Sequence, residues 1–227
     1  MSDPASVDLP LDETTRVRRE AHLQVRDRRV LHAVLDEALV AHVSVVRDGL
    51  PLVLPFACAR DGETLLLHGS TGSGLMRLAV GEPVCVAVTH VDGLVFARTT
   101  FDSSMNYRAA VVHGTAVALS GAEKERALVV LSEHLFPGRG TEVRPSTARE
   151  LAATLVLRVP LTQASVKVSD GPPSSEDEPD SVWAGVLPLA VVAGEPVPAG
   201  DVPAAVPVPE SVRRAARRAG VTPARGR

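Results

Sequence analysis

Two Asp-Gly pairs separate three short apolar runs, at residues 39–46, 52–59 and 64–68, and this spacing limits the fold class more than any other feature. Each run has strand length, too short for a packed helix. Asp48-Gly49 and Asp61-Gly62 tolerate the positive φ that tight hairpin turns require. The segment therefore reads as an antiparallel three-stranded meander. Parallel neighbours would need long crossovers, and none fits in turns this short.

The pattern continues downstream. Residues 84–89 and 94–99 read as a second hairpin turning at Asp92-Gly93. Residues 107–119 read as one long strand with Gly114 as a bend. Alternation of Leu155, Leu157, Val159 and Leu161 with Thr154, Val156 and Arg158 predicts a final long strand running to about residue 168. Helical spacing of Val30, Leu31, Val34 and Leu35 predicts a helix over 28–37, and a short one is expected over 75–80. Ser120 with Glu123, and Thr147 with Glu150, have the spacing of capping boxes that open two further helices. Pro137-Gly138 ends the first of these.

Six or seven strands, short turns and peripheral helices point to a mainly β chain that curls into an antiparallel barrel. The expected division is an arm at 1–26, a barrel domain at 27–190, and a Pro/Ala-rich, basic tail at 191–227, with a loop over 170–181. Apolar residues make up 45% of the 227 but aromatic ones only 3%, so Val, Leu and Ala must build the core. A formal charge of −3 gives no general attraction to nucleic acid. The basic runs at 16–29 and 213–227 read as solvated ends. Two cysteines, Cys58 and Cys85, lie inside apolar runs and read as buried free thiols of a reducing compartment. No leader-like h-region and no apolar run of membrane-spanning length occurs, so a cytoplasmic protein without a membrane partner is expected.

Four places carry residues suited to chemistry. The first is Gly69-x-x-Gly72-x-Gly74 between a strand and a helix, with Asp92 about 20 residues on. That resembles a dinucleotide fingerprint. A helix over 73–80 would be only about 12 Å long, too short for a parallel crossover. A Rossmann domain is excluded on that ground, leaving a phosphate-binding turn or a plain surface loop. The second is His68, which ends a strand at that turn. On residue type alone it reads first as a structural histidine. The seven histidines lack zinc spacing, so no metal site is expected. The third is Ser103-Ser104-Met105-Asn106-Tyr107-Arg108, whose short polar side chains suit the pyrimidine edge of a flavin, or simply a polar loop. The fourth pairs Lys167 with Gly171-Pro172-Pro173 and Trp183, either a barrel cap or a ring-stacking wall.

His68-Gly69-Ser70, Val84-Cys85-Val86, Val88 through Val95, Ala97-Arg98, Ser104 through Arg108, Pro137-Gly138-Arg139, Glu150-Leu151-Ala152, Ser165-Val166-Lys167, Gly171-Pro172-Pro173 and Trp183 through Val186 follow in order. The series resembles the flavin-nucleotide-binding, nitroimidazole-resistance-like branch of the pyridoxamine 5′-phosphate oxidase-like proteins, over about residues 14–190. The resemblance implies an FMN-binding, six- to seven-stranded antiparallel split β-barrel and a homodimer with flavins at the interface. It implies His68 as the catalytic residue near the flavin ring and Leu54-Pro55 as main-chain contacts. Gly69, Ser70, Ser73 and Arg77 would surround the phosphate. Thr89, Arg98, Ser104, Asn106, Tyr107, Arg108, Lys167 and Trp183 would line the pocket.

One departure stands out. Relatives carry a Ser-Arg pair after the turn, where this chain has Ser73-Gly74-Leu75, and only Arg77 or Lys167 offers a replacement charge. Loss of one charge-assisted bond weakens binding by about 10- to 100-fold. The implied activity is an FMN-dependent oxidoreductase of a small organic molecule, with nitroreductase-like or pyridoxamine-phosphate-oxidase-like chemistry. The alternatives are a non-catalytic module of the same fold holding haem, a deazaflavin or another nucleotide, and a cofactor-free scaffold whose basic tail serves a partner.

Overall fold

The hairpin geometry expected of the Asp-Gly pairs is present: Asp48 and Gly49 have φ of 53° and 78°, and Gly62 has 56°. The structure, a computed structural model, describes residues 8–174 and 181–219. The first seven residues, 175–180 of the acidic loop, and the last eight residues, with Arg225 and Arg227 of the basic run, lie outside the described residues.

In chain order the elements are β1 (Gln24–Val25), α1 (Arg28–Glu37), β2 (Val40–Arg47), β3 (Leu50–Asp61), β4 (Thr64–Ser70), α2 (Gly74–Ala79), β5 (Pro83–Phe96), β6 (Ser104–Thr115), β7 (Val117–Ala118) and α3 (Gly121–Leu135). They continue with α4 (Ala148–Ala153), β8 (Thr154–Pro160), β9 (Gln163–Ser169), β10 (Gly185–Pro188) and α5 (Glu210–Ala219). Every pairing is antiparallel. Strand order is β1-β9-β6-β5-β2-β3-β4-β8-β7, with β10 added to β5. The order does not close on itself, so the barrel is split. β3 joins its halves: residues 50–57 pair with β2, and 58–61 pair with β4.

Alternation along the strands sorts side chains into two cores. Val43 and Val45 of β2, Leu65 and Leu67 of β4, Val84, Val86 and Val88 of β5, and Val112 of β6 fill the barrel together with Leu31, Val34 and Leu35 of α1. Burying each of these α1 side chains contributes about 1.5–3 kcal/mol. Leu66 and Val156 point the other way and meet Ala127 and Leu131 of α3 in a second, smaller core. Leu9 of the arm is also fully buried in the main core, so at least the described part of the arm is docked rather than trailing.

Several expectations need correction. Asp92-Gly93 is no hairpin turn: β5 runs unbroken from Pro83 to Phe96, with a bulge between Val91 and Gly93. The Asp92 carboxylate leaves the ladder to bind Arg108, and a Cβ on Gly93 would come within 3.0 Å of Val186 on β10. The expected strand over 107–119 is two. After Gly114, whose Cβ would lie 3.0 Å from Val159, the chain leaves β6 and continues as β7 beside β8. The expected strand over 154–168 is likewise two, β8 and β9, which pair with different partners. At the first expected capping box Ser120 makes no side-chain cap, and Glu123 instead binds Arg158 on β8 at 2.5 Å. The box at Thr147 and Glu150 forms as expected. Sequence reading missed β10 and α5 altogether.

Candidate functional site

Among the described residues one face of the larger sheet carries no helix, and only the arm, at Gln24 and Lys167, and Trp183, at Phe96, touch it. Because Val84, Val86 and Val88 point into the core, Cys85, Ala87 and Thr89 point outward. Register extends this into rows. Pro55, His42, Ala87, Val111 and Ser165 lie abreast on β3, β2, β5, β6 and β9. Val53, Ser44, Cys85, His113 and Gln163 form the next row. Thr89, Ala109, Lys167 and Gln24 form another, and beyond it Tyr107 stands opposite Val91 and Ser169. Past the bulge the same face carries Leu94, Met105 and Leu187 abreast, then Phe96 opposite Gly185. Trp183 closes it: its ring lies 6.2 Å from that of Phe96, and a Cβ on Gly185 would come within 2.8 Å of the indole. Glycine is needed there for the ring to lie against the backbone. Small and apolar side chains dominate this face, with Trp183 70% exposed at its end.

The candidate residues from sequence divide between places. Thr89, Tyr107, Lys167 and Trp183 share the uncovered face, as does Pro55 of β3. Lys167 is held charged above its usual range: partial burial works against the charge, and the Tyr107 hydroxyl and Glu20 carboxylate outweigh it. Its Nζ lies 3.3 Å from Glu20 Oε2, so an arm residue already meets this cation. Asn106 and Arg108 point to the opposite face. Asn106 donates to the Gly171 carbonyl at 3.1 Å and so anchors the following loop. Arg108 binds both oxygens of Asp92, at 3.0 and 2.9 Å, and Glu37 of α1 at 2.7 Å. These carboxylates raise its already high pKa further, against burial. Ser104 pairs with Val95 at the end of β6, and Arg98 is half-buried in the connection before it.

His68 sits on β4 opposite Val156, on the face that Leu66 shows to α3. Burial lowers its pKa, so the imidazole is neutral near pH 7 and keeps a nitrogen lone pair. No hydrogen bond engages it among the described residues. Three other histidines lie against oxygen atoms. His90 Nε2 lies 2.9 Å from the Val34 carbonyl, His134 Nε2 2.7 Å from the Ala38 carbonyl, and His32 Nε2 3.0 Å from a Glu63 oxygen.

The turn after His68 is a built structure. Thr71 N–H donates to the Ala153 carbonyl at 2.9 Å, fixing the turn to the start of β8. Ser70 Oγ accepts from Gly72 N–H at 3.0 Å, and Ser73 Oγ accepts from Met76 N–H at 3.4 Å as the cap of α2. Each hydroxyl thus keeps its proton free to donate to an anion. A Cβ on Gly69 would press Met76 at 3.1 Å, so glycine lets α2 pack against β4. Arg77 turns back, its Nη1 donating to the Thr71 carbonyl at 3.3 Å. Beside the turn lies a cavity of ≈ 340 Å³ walled by Leu52, Val53 and Leu54 of β3, Gly74, Leu75 and Leu78 of the α2 segment, and Arg47. Two segments expected to touch a flavin, Leu54 and the residues beside Ser73, therefore meet in one cavity. Sequence reading missed Arg47, which carries no motif around it. A second cavity of ≈ 470 Å³ lies in the arm, among Leu11, Arg16, Val17, Arg18, Ala21, Gln24 and Arg26. It lies by β1, at one end of the strand order.

The antiparallel split barrel is the fold of split-barrel flavin-binding proteins. A family model described as pyridoxamine 5′-phosphate oxidase matches residues 27–168, and the chain belongs to this family. It is similar along most of its length to the FAD and haem binding protein from Mycobacterium smegmatis, with 41% identity and a TM-score of 0.83; the match covers 86% of this chain and 97% of that one. It is also similar to the flavocytochrome Anf3 from Azotobacter vinelandii, with 32% identity, a TM-score of 0.85, and coverage of 92% and 98%. A candidate 5-nitroimidazole antibiotic resistance protein from Bacteroides thetaiotaomicron, 21% identical with a TM-score of 0.53, shares the fold over 64% of this chain and 86% of its own. Among curated proteins no sequence matches the chain. No helix of the described residues is long and apolar enough to cross a membrane.

Proposed function

We propose that the chain is a homodimeric flavin redox protein that also holds haem. The observation that carries this reading is the extent of its likeness to the M. smegmatis FAD and haem binding protein, which takes in nearly all of that relative at 41% identity. The family model stops at residue 168, before β10 and α5. The flavin supplies the redox chemistry, and the protein binds and orients it. Thr89, Tyr107, Lys167 and Trp183 are placed along its ring on the uncovered face. His68 is placed beside the reactive group as a neutral imidazole. A second copy of the chain covers the five-strand face, whose small and apolar side chains resemble a core surface rather than a solvated one.

Within this reading the flavin is FAD, as in the M. smegmatis FAD and haem binding protein. Imidazole nitrogen is one of the ligands haem iron takes. His42, His68 and His113 lie on sheet strands without a hydrogen bond among the described residues and would be the ones to hold it.

The absorption spectrum of the purified chain tests the proposal. Flavin bands together with a Soret band are expected. A colourless protein that stays colourless on titration with FMN, FAD and haemin overturns it. His68→Ala then separates two roles: a shifted Soret band makes His68 an iron ligand, whereas slower flavin reduction with unchanged spectra places it at the flavin.

A further inference from the structure

The glycine turn is short of cations: Gly74 and Leu75 bring none. Of the two cations the sequence offers, only Arg77 stays at the turn, where the Thr71 carbonyl holds it. Lys167 lies across the sheet against Glu20 and Tyr107. Arg47 is the cation that the fold itself brings in. It is the last residue of β2, registered against Leu50 across the Asp48-Gly49 turn. The hairpin carries it to the cavity walled by Leu54, Gly74 and Leu75. Among the described residues no hydrogen bond or ion pair engages Arg47. Its guanidinium, with five N–H donors, is therefore unspent. The remaining walls are apolar apart from backbone, so nothing in the cavity competes for it. A Cβ on Gly74 would meet nothing within 4 Å, which leaves room between α2 and the hairpin for a ligand group or a larger side chain.

We propose that Arg47 is the phosphate-binding residue of this chain. From the β2–β3 hairpin it supplies the charge that the turn after His68 lacks at Gly74 and Leu75. The inference rests on the flavin reading above, and it assigns the first phosphate, common to FMN and FAD, to this cavity. A planar fork suits a phosphate, which it meets with two parallel N–H bonds. The device is not local in sequence, since Arg47 and Gly74 are 27 positions apart and meet only through the fold.

Titration of flavin fluorescence with riboflavin, FMN and FAD, on full-length wild type and Arg47→Gln freed of bound flavin, tests the assignment. Riboflavin has the ring and ribityl chain but no phosphate. Arg47→Gln is expected to weaken FMN and FAD by about 10- to 100-fold and to leave riboflavin unchanged. Adding Gly74→Arg to Arg47→Gln is expected to recover most of the loss, because the new guanidinium enters the same cavity. Equal FMN affinity in wild type and Arg47→Gln overturns the assignment while the flavin reading stands. An equal loss for riboflavin also overturns it, since the effect would then lie at the ring. If wild type binds none of the three, the flavin reading falls and Arg47 with it. A melting curve shows whether the exposed substitution leaves the fold intact; should Gly74→Arg not fold, Arg47→Lys decides, with a loss smaller than that of Arg47→Gln expected.

Discussion

Acidification should release the C-terminal helix from the barrel before it unfolds the rest. Arg218 of α5 donates to the carbonyl oxygens of Asp36 and His134, at the ends of α1 and α3, and one of its N–H groups meets His134 Nδ1 at 3.2 Å. His134 Nε2 lies 2.7 Å from the Ala38 carbonyl, which can only accept, so Nε2 carries the proton and Nδ1 the lone pair. Burial and the Arg218 charge hold the His134 pKa below its usual value, against the Ala38 carbonyl and the Asp36 charge. With the folded pKa lowered, the released helix or unfolded chain takes up the proton first as pH falls. The stabilisation is complete above about pH 6.5 and is lost as pH drops through the folded value.

Protonation at Nδ1 sets a donor against a donor. The lost hydrogen bond costs about 1 kcal/mol and the repulsion between partly exposed charges up to about 1 more. A change of one or two kcal/mol alters the docked-to-released ratio by about 5- to 30-fold. The second anchor of α5, Ser211 bonded through N–H and Oγ to Glu142, titrates only at lower pH because those bonds lower the carboxylate's pKa. Amide hydrogen exchange read by mass spectrometry at about pH 7.5 and about pH 5.5, corrected for the intrinsic chemical rate, should show protection falling in α5 but not in β5. In His134→Gln the amide can still donate to Ala38 and accept from Arg218 without titrating, so the pH dependence should vanish. Protection in α5 that does not change with pH, or a dependence that survives in His134→Gln, would refute this account.

Other consequences can be measured directly. Leu131→Ala removes the largest α3 side chain from the smaller core and should cost about 2–5 kcal/mol, lowering the melting temperature by about 4–20 °C. Gly185→Val should push the chain's single tryptophan off the strand; its emission maximum should move, and an unchanged spectrum contradicts the packing described. Burial pushes the Cys58 thiol up to about 12 and also raises that of Cys85, which is less covered. Alkylation near neutral pH should therefore leave Cys58 unmodified and reach Cys85 slowly, and more slowly still when a second copy covers the outer face.

Local signals in the chain carried much of the fold. Asp48-Gly49 announced its hairpin because positive φ at two adjacent positions has few solutions, and α1 was legible because its apolar face is continuous. Asp92-Gly93 misled because the same dipeptide serves a bulge when a carboxylate has a distant arginine to reach. Whether β6 stops at Gly114, or β8 at Pro160, depends on which neighbour each half pairs with, and this is decided in three dimensions. β10 was hidden because four residues in a Pro/Ala-rich stretch have no period of their own. Of the residues proposed for the site, Thr89, Tyr107, Lys167 and Trp183 lie on one face of the sheet. Asn106 and Arg108 sat in the same motif, but alternation sends them to the other side, where they bind Gly171 and Asp92. Arg47 had no signal, since a solvated arginine at a hairpin end and one aimed at a cavity read alike.

Native mass spectrometry of the full-length chain mixed with excess FAD tests the central claim most directly. The account predicts a species with the mass of two chains and two bound flavins, persisting after the free dinucleotide is removed. A single chain carrying no added mass, at flavin concentrations well above those in cells, would contradict it.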